Sequence, residues 1–215
     1  MILNEILVKL FFLGMIFIVF SCARIEDEQY AIIETEKGKM IVKFFPEIAP
    51  KHVESFKALT EKDYFNGTTF HRIIPGFVIQ GGDPNSKDND RFNDGMGGHA
   101  GKYFGIGDES NPETWTVPAE FNERPHKRGI LSMARSQNPD SGGSQFFICV
   151  DNVPQLDNNY TVFGEVISGL ETIDKIVNSS TPGTENPSYR GPDRDNPIEP
   201  IKMNISLVSS SELDL

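Results

Sequence analysis

Apolar and polar positions follow two different periods along this chain. Residues 30–35 and 40–45 are short β-rich runs joined at Lys37-Gly38, which predicts a hairpin. Met40, Val42 and Phe44 alternate with Ile41, Lys43 and Phe45, so the two-residue period of a half-buried strand is only partly clean. After Pro50 the period lengthens. In PKHVESFKALTEK, Val53, Phe56 and Leu59 recur at helical spacing, and the proline suits a first turn. Asn66-Gly67 predicts a turn, and 68–74 and 77–80 predict strands split by Pro75-Gly76. Runs 130–135, 145–150 and 160–166 return to β character. A helix is expected over 169–177, with Leu170, Ile173, Ile176 and Val177 on one face. A last strand is expected over 198–208, and SSSELDL predicts a frayed tail.

Between these runs lie two stretches with no period. Only 10 of the 46 residues in 83–128 are apolar and six are glycine, which predicts a long loop region of the kind that often carries function. Residues 178–196, rich in Ser, Asn, Pro and Gly, predict a second exposed loop. Many short strands, Gly/Pro turns and two helices imply a mainly β domain, a closed barrel or a sandwich; the pattern alone does not choose.

The start of the chain is different. Residues 10–20 read LFFLGMIFIVF, an uncharged run shorter than the roughly 20 apolar residues of a spanning helix. With Lys9 in front it suits the apolar region of an export signal. Ser21-Cys22 follows, then the polar ARIEDEQ, and this junction resembles the lipobox of bacterial lipoproteins. The resemblance implies removal of 1–21 and lipidation of Cys22; the expected organisation is then a short tether over 22–29, a domain over 30–208 and a tail over 209–215. The resemblance places the protein in the bacterial cell envelope, on the periplasmic side or outer membrane. If Cys22 carries no lipid, the protein is secreted or keeps the leader as an anchor. Cys149, inside the apolar FFICV, is expected to be a small buried hydrophobe, and two cysteines do not make a disulfide framework.

The chain is 215 residues with a formal net charge of −11, enough for one domain with tails. The acidic balance argues against a nucleic-acid partner, which needs a cationic face.

Three stretches hold the candidate chemistry: FHRIIPGFVIQGGD at 70–83, LSMARS at 131–136 followed by GSQFFI at 143–148, and LD with YTVFG across 156–164. If the strands around Pro75-Gly76 fold back on each other, Arg72, Phe77 and Gln80 converge. Together these stretches resemble the cyclophilin family of peptidyl-prolyl cis-trans isomerases, over about residues 30–208. The resemblance implies a closed eight-stranded antiparallel β-barrel capped by two α-helices. It also implies a site on the outer face that takes proline-containing peptides and unfolded proteins and needs no metal or organic cofactor. Arg72, Phe77 and Gln80 match the catalytic group. Val78, Ala134, Arg135, Gln145, Phe147, Leu156 and Tyr160 match the substrate-binding positions, while Phe70 and Phe146 are expected in the core. Val78 stands where many members have Met, Arg135 where many eukaryotic members have Asn, and Tyr160 where many have His. Gln155 replaces the Trp of cyclosporin-sensitive members, which implies weak cyclosporin binding.

The remaining polar residues suggest little chemistry. His71 is expected to point away from Arg72 and to be structural. His52, His99 and His126 show no metal spacing. The acids of DPNSKDND lack EF-hand spacing. Gly105-Ile106-Gly107 lacks the context of a dinucleotide site. A monomer is the default. The rival reading is a weakly catalytic proline-peptide-binding or chaperone module on the same barrel.

Overall fold

A computed structural model describes residues 28–88 and 90–213; the leader, Cys22 and most of the expected tether lie outside the described residues. The strands are β1 (Gln29–Thr35), β2 (Gly38–Phe44), β3 (Arg72–Ile73), β4 (Val78–Gly81), β5 (Ile130–Met133), β6 (Phe146–Cys149), β7 (Val162–Ser168) and β8 (Met203–Ser209). The helices are α1 (Pro50–Thr60), α2 (Leu170–Val177) and α3 (Pro182–Glu185). The strands form one sheet in the order β3-β4-β6-β5-β7-β2-β1-β8, antiparallel throughout.

The expectation of a closed barrel is corrected here. The sheet is a curled half-barrel whose two edges, β3 and β8, do not pair as strands. An isolated bridge between Thr69 and Lys202 spans the gap, with Phe70 N donating to Ile201 O at 3.0 Å, Met203 N to Thr68 O at 2.8 Å and Gly67 N to Met203 O at 2.9 Å. The run 68–74 forms a strand at two residues only, because its backbone donors go elsewhere. Thr68 N and Oγ1 both turn back to Phe65 O, and Thr69 N donates to the Ser86 hydroxyl at 2.9 Å. The count of two helices is also corrected. Thr181 and Thr184 form a capping box around Pro182 that starts a third, one-turn helix. That is too short to show a period in sequence.

The concave face of the sheet packs on α1 and α2. Phe56 of α1 stacks on Phe65 at 4.8 Å between ring centroids and meets Phe44 and Phe146 edge-on. Ala49 cannot cap α1 through its side chain. Glu120 does so from the long loop, accepting from the backbone N–H groups of Lys51 and His52 and from His52 Nδ1 at 2.7 Å. In α2, Ile173, Ile176 and Val177 are buried as expected, but Leu170 is left 38% exposed. Among the described residues, no helix is long and apolar enough to cross a membrane.

Alternation along the strands divides the sheet into two faces. Phe146 and Ile148 of β6 join the inner core with Ile79 and Leu131, while Phe147 and Cys149 face outward. Outward, they join Phe45, Val78, Ile130, Val153, Leu156 and Val162 in a second apolar cluster. Cys149 is fully buried there, and burial pushes its thiol up to about 12, so it is no nucleophile.

Candidate active site

The site grows from the outer cluster. The turn after β3 closes with Phe77 N donating to Ile74 O, and Gly76 takes φ +69°. It reverses the chain so that Arg72 on β3 lies opposite Gln80 on β4, and Gln80 opposite Phe147 on β6. Arg72 Nη1 donates to Gln80 Oε1 at 3.1 Å. Gln80 Nε2 donates to Gln145 Oε1 at 2.9 Å, and Gln145 Nε2 to Gly97 O at 2.8 Å. Two amides thus hold the guanidinium in one orientation and end on a backbone carbonyl of the long loop.

Beside this relay is a cavity of about 200 Å³, lined by Arg72, Phe77, Val78, Gln80, Ala134, Arg135, Phe147, Leu156 and Tyr160. These are the residues singled out in the sequence, apart from Gln145. Gln145 lines an adjoining cavity of about 260 Å³ over Gly97 and Gly98. Val78, Phe147 and Leu156 are buried, and Tyr160 meets Phe147 edge-on at 5.6 Å. The Arg72 guanidinium lies 6.0 Å from the Phe77 ring. Phe70 and Phe146 are fully buried in the inner core. Gln155 is exposed and does not line the cavity.

Arg135 does not offer a free cation to the cavity. Its Nε and Nη2 donate to Asn159 O at 3.0 and 2.8 Å, and Nη1 donates to Ser136 O at 2.9 Å. Its flat face lies 4.7 Å from the Tyr160 ring and 5.8 Å from that of Phe121. Phe121, 41% exposed, belongs to this rim and carried no signal in the sequence.

Sequence reasoning also missed the support behind Phe147. The His126 ring stacks on Phe147 at 6.0 Å and an interplanar angle of 20°. Asp157 Oδ1 accepts from His126 N at 2.7 Å and pairs with Nδ1 at 2.9 Å, while Nε2 meets Ser132 Oγ at 3.0 Å. Burial lowers the His126 pKa against the pull of Asp157, and the bonds from His126 hold the Asp157 carboxyl below its usual range. Asp157 follows Leu156 directly, so one carboxylate fixes both the back of the floor and one wall. No motif joins positions 126, 132 and 157.

His71 is buried beside Arg72, and among the described residues neither ring nitrogen makes a well-aligned hydrogen bond. Burial pushes it down to about 4, opposed by Asp83, Thr69 and Gln145, which leaves it neutral near pH 7. The acids of 83–90 are loop anchors. Asp83 is buried, caps the turn at Pro84–Lys87 through Asn85 N, and accepts from the Gly95 and Gly97 N–H groups.

Comparison with known proteins shows the family and the fold. The family model described as "Cyclophilin type peptidyl-prolyl cis-trans isomerase/CLD" matches residues 30–203. The chain belongs to the cyclophilin-type peptidyl-prolyl cis-trans isomerases. It is 39% identical over 169 residues to a Brucella abortus protein named "Probable peptidyl-prolyl cis-trans isomerase", covering 79% of this chain and 81% of that one. It is 38% identical over 149 residues to the Helicobacter pylori peptidyl-prolyl cis-trans isomerase, covering 68% and 79%. A Cryptosporidium parvum cyclophilin type isomerase, crystallised in the presence of the dipeptide Ala-Pro, superposes with a TM-score of 0.67 at 32% identity. That match covers 84% of this chain and 99% of the other.

Proposed function

We propose that Arg72 accelerates rotation of X–Pro bonds by donating to the prolyl nitrogen in the twisted state, while the apolar cavity holds the proline ring. The barrier of about 18–20 kcal/mol comes from amide resonance. In the planar ground state the nitrogen lone pair is delocalised and accepts poorly. At the twisted geometry the nitrogen pyramidalises and regains that lone pair, so a donor placed there binds the transition state better than either isomer. The reaction forms no covalent bond to the protein and moves no proton, so neither a nucleophile nor a general base is required. The observation that carries this reading is the Arg72–Gln80–Gln145–Gly97 relay at the rim of the apolar cavity. A donor already fixed in place costs no reorganisation when the amide twists. Phe77, Phe147 and Leu156 give the ring an apolar slot. Ala-Pro, the dipeptide present with the C. parvum relative, has the size and chemistry to fit there.

The clients in this reading are proline-containing, incompletely folded proteins of the cell envelope, reached through a lipid on Cys22. Uncatalysed isomerisation takes tens to hundreds of seconds, slow enough to limit their folding. In a protease-coupled assay on a short proline peptide, Arg72→Ala is expected to lower kcat/KM by about 10²–10³-fold, the usual loss for one transition-state donor. Unchanged turnover overturns the assignment and favours a binding module. Palmitate labelling in cells is expected to disappear in Cys22→Ala; retained label excludes Cys22 as the acceptor.

A further inference from the structure

We propose that His126 is a positioning residue of the isomerisation: its ring, bonded at both nitrogens, sets the tilt of Phe147 and so the face that the cavity offers to the proline. The proposal rests on the isomerase reading above and adds to it a residue that does not touch substrate.

Phe147 lines the cavity and His126 does not. On the cavity side no packed atoms hold the Phe147 ring, and a phenyl ring turns readily about its outer bond. Its angle is therefore set by what lies beside and behind it. Tyr160, itself part of the rim, meets it edge-on at 81°. His126 lies nearly parallel to it, with 20° between the planes, and its side chain is fully buried. Phe147 is also in register with Gln80, which holds Arg72. A change in its tilt would turn the proline ring relative to the guanidinium.

An imidazole is a costly way to fill this place. The outer cluster around Phe147 and Val153 is apolar, and burial lowers the His126 pKa below its ordinary 6.5, so the ring is neutral near pH 7. A leucyl or phenyl side chain would fill the space without that cost. What the imidazole adds is hydrogen bonds in the plane of its ring. Nδ1 pairs with Asp157 Oδ1 at 2.9 Å, and Nε2 meets Ser132 Oγ at 3.0 Å. In-plane bonds at two edges oppose both rotation and tilt. The main chain is held as well: His126 N donates to the same Asp157 oxygen at 2.7 Å, and Val153 N donates to His126 O at 2.8 Å.

The protons can be counted. The Asp157 carboxyl is held below its usual range, so it accepts from Nδ1–H, and the neutral ring then presents a lone pair at Nε2. The Ser132 hydroxyl donates to that lone pair. Its other neighbour, Thr161 O at 2.9 Å, keeps the bond from Met133 N at 3.0 Å. Removing the imidazole strands neither partner. Ser132 can turn to Thr161 O, and the Asp157 side chain, 29% exposed, can take water. Variants that lack these bonds are therefore expected to fold.

The test measures kcat and KM on a short proline peptide for His126→Phe, Asp157→Ala and Asp157→Asn. His126→Phe keeps a flat ring without its bonds to Asp157 and Ser132. It is expected to lower kcat about three- to tenfold with KM changed less than about twofold, as for a misaligned site. Asp157→Ala is expected to do the same. Asp157→Asn keeps an acceptor oxygen without the charge and is expected to restore most of kcat. Because the two residues act as one unit, the double variant His126→Phe/Asp157→Ala should lose no more than either single variant. Isotope-labelled phenylalanine, with the Phe147 signals assigned by their loss in Phe147→Leu, should show by NMR a faster ring flip in His126→Phe and Asp157→Ala than in wild type. Unchanged kcat in both single variants, or losses that multiply in the double variant, overturns the proposal, because side chains that only fill space shift the urea midpoint and leave these quantities alone. If His126→Phe does not fold, Asp157→Ala and its rescue by asparagine decide the matter. A wild-type protein that does not turn the peptide over overturns the isomerase reading instead, and the Phe147 ring flip then decides the positioning.

Discussion

The two flanks of Arg72 are built in opposite ways. On one flank the guanidinium borders side chains from β4 and β6, with Leu156 and Tyr160 closing the slot. These positions are set by sheet hydrogen bonds and are mostly apolar. On the other flank it borders carboxylates, Arg91 and a neutral imidazole, held by loops whose clasping residues are 102 positions apart. On the apolar flank a bound proline ring would displace water, so a single donor is expected to count for more there. The other flank is charged, and interactions between partly exposed charges are individually weak. The first side is therefore expected to carry the rate.

The largest test of that division compares neighbours on opposite faces of β6. Phe146→Ala and Phe147→Ala each remove a buried ring and should cost about 3–5 kcal/mol in urea unfolding. Leucine separates them. Phe146→Leu should leave kcat/KM of the folded protein near wild type, because that ring touches only the inner core. Phe147→Leu should lower it severalfold, because that ring lines the cavity proposed to hold the proline. Equal activity in the two leucine variants would remove Phe147 from the site.

The apolar flank was legible in the sequence because its residues match the motifs of a known family, and alternation along β6 is the physical reason that Phe146 and Phe147 fall on opposite faces. Arg72 and Gln80 are close because one tight turn brings them into register. Barrel closure was not legible, because it depends on where Thr68 and Thr69 send their hydrogen bonds, and their partners include Ser86 on another segment. The support of Phe147 by His126 and Asp157 joins positions 31 apart with no shared period. The clasp between Asp94 and Asn196 joins two segments that have none at all. Loops declare their flexibility of sequence but not their partners.

The polar flank has its own stability signature, smaller than the loss of a ring. His71 has a folded pKa of about 4 against an ordinary 6.5. Between those values the unfolded chain binds a proton that the folded chain refuses. The stability from keeping this ring neutral is therefore complete above about pH 6.5 and lost as pH falls through about 4, roughly 3 kcal/mol in all. Carboxylates also titrate in this window, so the informative quantity is a difference. Wild type should lose roughly 3 kcal/mol more than His71→Leu between neutral pH and pH 4 in urea unfolding. Parallel losses would mean that His71 takes its proton freely in the folded protein.

Arg135 gives the smallest expected effect and tests whether the apolar flank needs a rigid rim. Its guanidinium gives its hydrogen bonds to backbone carbonyls and lies over Tyr160 and against Phe121. It is therefore expected to act on substrate through Tyr160, as a positioning residue. Arg135→Gln removes the fork and both ring contacts, at a cost of about 1 kcal/mol for a partly exposed cation–π site. With Tyr160 free to move, the proline ring should bind less well in ground and transition states alike, so KM should rise about two- to fivefold with kcat nearly unchanged. Arg135→Lys should not rescue it, because an ammonium keeps the charge but cannot make the planar fork that spans Asn159 and Ser136. Rescue by lysine would show that charge alone matters at this rim. A fall in kcat at constant KM would show instead that Arg135 reaches the twisting amide itself.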